Sequence, residues 1–239
     1  VEYFNNGENL LVVGDNEIEI LDLRLFDKVI RRIDLKNSKA RIACIGKDGN
    51  TIYAASSGLL KCWKVKDDVI VFGGENGHSG RINSVSISRD KKNIVSASDD
   101  KTIKIWEVGS ANCISTLRGH KGSVVSACFS PDGKYIASAS TDETIRIWNG
   151  LTGECIDTLI GHTMAVNCVV YCPNGKYLVS ASKDSTIRVW DINTGESLYV
   201  LKEHSGGVNS VSMIDDGKFF ISASEDSTIR AWNTAKGRL

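Results

Sequence analysis

The sequence predicts an all-β chain assembled from one four-stranded antiparallel unit used repeatedly, and three observations carry that reading. Histidine occurs at positions 78, 120, 162 and 204, a constant step of 42 residues. Tryptophan occurs at 63, 106, 148, 190 and 232, one step of 43 and three of 42, so every histidine and tryptophan of the chain falls on one period. Within the stretch GHKGSVVSACFSPDGKYIASASTDETIRIWNG, residues 119–150, short runs alternate apolar and polar residues around turn signals. Val124, Ala127 and Phe129 precede a turn at Pro131-Asp132-Gly133, and Tyr135–Ser140 and Thr144–Trp148 flank a second turn at Thr141-Asp142-Glu143. Alternation with β-branched residues, punctuated in this way, is the signature of an antiparallel meander. Cys155–Ile160, after the Thr152-Gly153 turn, supplies the fourth strand.

A fixed period of this length means stacked supersecondary units, and four strands per unit point to propeller blades rather than a helical solenoid. Counting back 42 residues from Trp63 reaches Leu21, in EIEILDL, so six repeats are expected. They run over about 1–35, 36–74, 75–117, 118–160, 161–202 and 203–239 within a single domain, 1–239. Val1–Phe4 is expected as the tail of a first strand, Asn9–Gly14 and Glu17–Leu23 as a hairpin around Asp15-Asn16, and Lys28–Leu35 as a fourth strand. The second repeat places strands near Arg41–Ile45, Thr51–Ala55, Leu59–Val65 and Val69–Phe72, keeps Trp63 and has no histidine. Glu75–Gly77 is a connector without the spaced glycines of a phosphate loop. From Gly77 the units are regular. Six full repeats would need more than 239 residues, so the expectation is a propeller incomplete at both ends, with a closed six-bladed ring as the structural alternative.

The chain resembles the WD-repeat β-propeller family. The resemblance rests on Gly77-His78, Gly119-His120 and Gly161-His162, on the SASxDxTIxxW segments, and on Trp190-Asp191; it is strong from Gly77 to Asn233 and weaker before. Departures are Glu203 before the fourth histidine, and Lys64, Glu107, Asn149 and Asn233 after the other tryptophans. Most rings of this family have seven blades, which implies a longer, seven-bladed parent.

Lys plus Arg total 29 and Asp plus Glu total 29, so no global field favours nucleic acid or an anionic membrane. No apolar run approaches the roughly 20 residues that span a bilayer, and VEYFNNGEN lacks the layout of a signal peptide. Seven cysteines without a CxxC pair, mostly among apolar neighbours in strands, read as buried free thiols in a reducing, intracellular compartment, cytoplasmic or nuclear.

Each regular repeat carries His, Ser, Asp and Trp at fixed spacing: His78, Ser96, Asp100, Trp106; His120, Ser138, Asp142, Trp148; His162, Ser180, Asp184, Trp190; His204, Ser222, Asp226, Trp232. Ser, His and Asp together invite a hydrolase reading, but catalysis needs one exposed nucleophile on a strained turn, and no GxSxG elbow exists. Four copies argue for architecture instead. The resemblance implies that Asp accepts from His, His is held by Ser, and Ser by the indole N–H, a network that satisfies buried polar groups. Histidines placed one per blade cannot converge on a metal, so neither metal nor cofactor is expected. Tyr135, Tyr177 and Phe219 read as inter-sheet packing rather than base-stacking platforms, and the pair Arg31-Arg32 falls in a predicted outer strand.

Function is then expected where the repeats disagree. The resemblance implies that partners dock on the channel face carrying the Gly-His and Asp loops, through the residues three and five after His and the one before Asp. Those are Arg81, Asn83 and Asp99; Ser123, Val125 and Thr141; Ala165, Asn167 and Lys183; Gly207, Asn209 and Glu225; in the second repeat they correspond to Lys39, Arg41 and Ser56. Lys39, Arg41 and Arg81 make the set positive on adjacent repeats, with Asp99 limiting the patch. The expected function is a noncatalytic interaction scaffold, part of a multiprotein complex, that binds an acidic or phosphorylated protein segment. The alternative is a regulatory or sensor propeller of a larger enzyme or multisubunit assembly whose catalytic part lies outside this chain.

Overall fold

The computed structural model describes residues 76–214 and 217–237 with their side chains and, before residue 76, the backbones of the strands given next. Blade 1 comprises β1 (Glu2–Phe4), β2 (Asn9–Val13), β3 (Glu17–Asp22) and β4 (Lys28–Asp34), and blade 2 comprises β5 (Ala40–Ile45), β6 (Thr51–Ser56), β7 (Leu59–Lys64) and β8 (Val69–Phe72). Blade 3 holds β9 (Ile82–Ile87), β10 (Asn93–Ser98), β11 (Thr102–Glu107) and β12 (Cys113–Arg118). Blade 4 holds β13 (Val124–Phe129), β14 (Tyr135–Ser140), β15 (Ile145–Asn149) and β16 (Cys155–Leu159). Blade 5 holds β17 (Val166–Tyr171), β18 (Tyr177–Ser182), β19 (Ile187–Asp191) and β20 (Ser197–Leu201), and blade 6 holds β21 (Val208–Ile214), β22 (Phe219–Ser224) and β23 (Ile229–Asn233).

Each sheet is an antiparallel meander with strands paired in chain order. The expected strands of the weak first two repeats appear close to their predicted bounds, and Arg31 and Arg32 lie in the outer strand β4. The repeat is visible in the register. Trp106, Trp148, Trp190 and Trp232 stand opposite Ile94, Ile136, Leu178 and Phe220, just as Trp63 stands opposite Ile52 and Leu21 opposite Leu10. Counting back to Leu21 therefore found the structural equivalent of a tryptophan.

The core lies between sheets, because each blade alternates residues toward its two neighbours. Val95, Ala97, Ile103, Ile105 and Leu117 of blade 3 meet Val124, Ala127, Ile136 and Trp148 of blade 4. Ala137, Ala139, Ile145, Ile147 and Leu159 of blade 4 meet Val166, Val169, Leu178 and Trp190 of blade 5. Val179, Ala181, Ile187, Val189 and Leu201 of blade 5 meet Val208, Val211, Phe220 and Trp232 of blade 6. The first strands β5, β9, β13, β17 and β21 adjoin one another in turn and form the inner edge. Consequently the histidine-bearing loops and the turns between second and third strands share one end of blades 3 to 6, and the other turns share the opposite end.

Candidate functional site

The four His–Ser–Asp–Trp sets form four equivalent hydrogen-bonded chains at the loop end of blades 3 to 6. In blade 3, His78 Nδ1 is 2.8 Å from Asp100 Oδ2 and Nε2 is 2.7 Å from Ser96 Oγ, which accepts the Trp106 indole N–H at 2.7 Å. The same three links hold in blade 4 through His120, Asp142, Ser138 and Trp148. They recur in blade 5 through His162, Asp184, Ser180 and Trp190, and in blade 6 through His204, Asp226, Ser222 and Trp232. One proton arrangement satisfies every member: indole N–H to Ser, Ser O–H to His Nε2, and His Nδ1–H to carboxylate. The imidazole is then neutral. Burial lowers the pKa of His78 and His120, outweighing the neighbouring Asp100 and Asp142.

The aspartates tie three segments together. Asp100 Oδ2 also accepts the Ser79 backbone N–H, while Oδ1 accepts both the backbone N–H and the hydroxyl of Thr102 at 3.0 and 2.6 Å. Burial alone would raise the Asp100 pKa, but the hydrogen bonds from Thr102 and His78 outweigh it and hold the carboxyl at about 2. Asp142 and Asp184 are lowered against the same burial, and Asp226 is lowered foremost by Thr228. Thr102, Thr144, Thr186 and Thr228 thus complete the network. Their signal was present in the sequence as the threonine two residues after each aspartate. The residue between them, Lys101, Glu143, Ser185 or Ser227, takes a left-handed φ of 64–71° that the carboxylate-bridged turn maintains.

Ser96, Ser138 and Ser180 are 0% exposed and Ser222 is 1% exposed. A hydroxyl without accessible surface that already donates to His and accepts from Trp cannot attack a substrate, so the arrangement does what a packing network does. Among the described residues no group of three His, Cys, Asp or Glu is placed to hold a metal ion. Arg146 and Arg188 stack over Trp148 and Trp190, their guanidinium carbons 5.9 and 5.7 Å from the ring centroids, and sequence reading missed them. In blades 4 and 5 this stack crowds the glycine before the histidine, whereas in blade 6 Glu203 holds the same place. A Cβ on Gly161 would come within 2.9 Å of Arg188 Nη1 and 3.1 Å of the Trp190 ring.

The residues expected to bind a partner are brought together in pairs at this same end. The backbone N–H of Asp99, Thr141, Lys183 and Glu225 donates to the carbonyl of Arg81, Ser123, Ala165 and Gly207, respectively, at 2.8–2.9 Å. Arg81 Nε donates to Asn83 Oδ1 at 3.1 Å and lies 3.4 Å from Asp99 Oδ2. Asn83 Nδ2 donates both to Asp99 Oδ1 and to the Val124 carbonyl of the next blade, at 2.7 and 3.0 Å. Asn167 makes the same cross-blade bond to the Val208 carbonyl, whereas Asn209 is exposed. Two asparagines therefore also join blades. The side chains of Lys39, Arg41 and Ser56 lie outside the described residues, and with them the extent of the positive patch. Met164, exposed where the other three regular repeats have glycine, is a departure on this face that sequence reading passed over.

Among the described residues no helix is long and apolar enough to cross a membrane. Four segments, 71–107, 111–149, 153–191 and 195–233, match the family described as WD domain, G-beta repeat. The first begins inside the outer strand β8 and the other three begin two residues before β12, β16 and β20, and each ends one residue past the tryptophan of the next sheet, so the sequence repeat straddles two blades. The chain is 39% identical over 72 residues to WD repeat-containing protein 1 of Gallus gallus and 51% identical over 41 residues to a ribosome biogenesis protein BOP1 homolog of Culex quinquefasciatus. It is 27% identical over 118 residues to the DDB1- and CUL4-associated factor 11 homolog of Caenorhabditis briggsae. These matches cover 29%, 17% and 46% of this chain, and the chain spans 12%, 5% and 21% of those proteins. With the family matched over more than half of its length and the blade network present four times, the chain belongs to the WD-repeat family of β-propeller proteins.

Proposed function

We propose that this propeller is a noncatalytic interaction scaffold that holds an acidic or phosphorylated protein segment on the face carrying the Gly-His and Asp loops, within a multiprotein complex inside the cell. The observation that carries the reading is Arg81. Its side chain is 54% exposed, yet its Nε is held by Asn83 and Asp99, and among the described residues its terminal nitrogens make no hydrogen bond. An oriented guanidinium with its outer edge open can grip carboxylate or phosphate through two parallel bonds. Thr141, Lys183, Glu225 and Asn209 occupy the corresponding loop positions of blades 4, 5 and 6, all exposed, where the repeats differ in chemistry while the network beneath them does not. Free cysteines, including the exposed Cys155, support a reducing intracellular setting.

A second reading is a regulatory propeller within a larger assembly. The relatives favour it, since they are several times longer than the matched regions and one is named for ribosome biogenesis and another as a factor associated with other proteins. The test of the first reading is fluorescence anisotropy with labelled acidic, phosphoserine and neutral peptides, comparing wild type, Arg41→Glu/Arg81→Glu and a charge reversal at Arg31 and Arg32. Preference for the anionic peptides, lost only in the first variant, supports the reading; equal behaviour of all three proteins refutes it.

A further inference from the structure

Each regular blade is entered through a five-residue loop centred on its histidine, 76–80, 118–122, 160–164 and 202–206. Three of the four begin with a polar or charged residue, Asn76, Arg118 or Lys202, and end in glycine. The loop before blade 5 departs at both ends, with Ile160 77% exposed and Met164 44% exposed on either side of the buried His162. Four residues of chain hold the two no more than about 14 Å apart. The glycines of the other loops have a steric cause. A Cβ on Gly80, Gly122 or Gly206 would come within 2.6, 2.8 and 2.9 Å of the backbone nitrogens of Asp100, Asp142 and Asp226, respectively. A side chain at this place therefore works against the close approach of loop and turn, and blade 5 carries one all the same. Single exposed apolar residues are ordinary on a protein surface, but two in one loop, both where the other regular repeats place none, call for a reason.

The loop that carries them is fixed by hydrogen bonds on its far side. Thr163 donates its backbone N–H to Asp184 Oδ2 at 3.0 Å, and Lys183 donates its own to the Ala165 carbonyl at 2.9 Å. Ser182 shares its hydroxyl proton between the carbonyls of Met164 and Ala165, at 3.2 and 2.9 Å. These bonds set Lys183 beside Met164. Lys183 is exposed, and among the described residues its ammonium makes no ion pair or hydrogen bond. On the other side of His162, the Arg188 guanidinium lies against Gly161, where a Cβ would be 2.9 Å from Nη1. The Asp184 carboxylate is engaged on both oxygens inside the network, by His162, Thr163 and Thr186. Glu225 of blade 6 approaches without pairing with Lys183: a Cβ on Gly207 would lie 3.0 Å from Glu225 Oε2 and 3.4 Å from Lys183 Cα. Two exposed apolar side chains thus stand in one loop beside an unpaired cation.

We propose that the 160–164 loop and Lys183 form an anchoring point for an acidic segment of a partner protein in which a large aliphatic residue stands within two residues of a carboxylate. The inference deepens the reading of the loop face given above and rests on it. Ile160 and Met164 supply the apolar contact, methionine with an unbranched chain that adapts to its guest, and Lys183 supplies the opposite charge. Residues i and i+2 of an extended segment point to the same side about 7 Å apart, which suits an apolar and a cationic side chain carried on backbones joined by hydrogen bonds. The loop is already held by the Asp184 and Ser182 bonds, so little order is lost on binding.

The test is fluorescence anisotropy of the full chain with two labelled glutamate-rich peptides that differ only in a central leucine or serine. The leucine peptide is expected to bind wild type about fivefold to tenfold more tightly, the gain from covering most of one aliphatic side chain. That ratio should persist as salt is raised while both affinities fall. In Ile160→Asn/Met164→Gln the ratio should drop to within about twofold, with the serine peptide unchanged. Leu198→Gln, a polar replacement on the outer strand β20 at the same 44% exposure as Met164, should keep it. All three positions are exposed, so melting temperatures near that of wild type are expected, and the comparison of the two peptides on wild type does not depend on any variant. Equal binding of both peptides by wild type, a ratio retained in the double variant, or a ratio lost equally in Leu198→Gln overturns the inference and leaves the loop-face reading in place. If neither glutamate-rich peptide binds, that reading falls and the inference with it.

Discussion

Trp148 donates its indole N–H to Ser138 Oγ at 2.8 Å, and the two residues stand on adjacent strands with the serine fully buried. The serine is the hinge of the chain from tryptophan to aspartate, since its one proton goes to His120 and its lone pair to the indole. Removing any member orphans a buried group in its neighbour. Asp142→Ala is expected to lower stability by about 2–5 kcal/mol, Trp148→Ala by about 3–5, and Ser138→Ala by about 1–3. Urea unfolding ranks them. Unchanged stability of Asp142→Ala, or a hydrolase activity abolished by Ser138→Ala in an otherwise intact protein, would contradict the packing role.

The same network makes stability fall on acidification in two windows. His78 and His120 are held neutral, with pKa values below the ordinary 6.5, so the unfolded chain binds more protons and stability is lost as pH drops from 6.5 toward their folded values. Asp100 is depressed from 3.8 to about 2, so its contribution is full above about 4 and disappears as pH falls through about 2. Thermal melts from about pH 7 downward should show both declines, and a melting temperature that rises between about pH 7 and 5 would reverse the assigned sign.

Arg81 should behave as an anchor on the loop face. Arg81→Ala is expected to weaken an anionic peptide about tenfold while leaving the melting temperature within about a degree, because the guanidinium is exposed and its link to Asp99 is a surface pair. Asp99→Asn should strengthen the same peptide by removing the negative neighbour. Titrations in low and moderate salt check both, and an affinity indifferent to salt would remove the electrostatic basis.

Ile229 sits opposite Ala223 as Ile103, Ile145 and Ile187 sit opposite Ala97, Ala139 and Ala181, yet it is 76% exposed while those three are at most 1% exposed. In blades 3 to 5 this face is covered by the following blade. The polypeptide 1–239 is therefore expected to self-associate through blade 6, and Ile229→Glu to shift it toward monomer without loss of stability. Sedimentation velocity at several concentrations decides; a compact monomer at every concentration would count against it.

Sequence alone determined the repeat, because its signals are local: alternation of period two, turns with fixed chemistry, and one His, Ser, Asp and Trp per unit. It even located Leu21 as a tryptophan equivalent, since hairpin register follows from turn placement. What only the tertiary structure decided depends on which neighbour a side chain faces. Asn83 and Asn167 reach carbonyls of the next blade, and Arg188 lies over Trp190. Those relations join residues about one repeat or more apart, or strands brought side by side by pairing. A linear pattern shows that such positions differ, but the packing of one blade on another settles whether the difference makes a bridge or a stack.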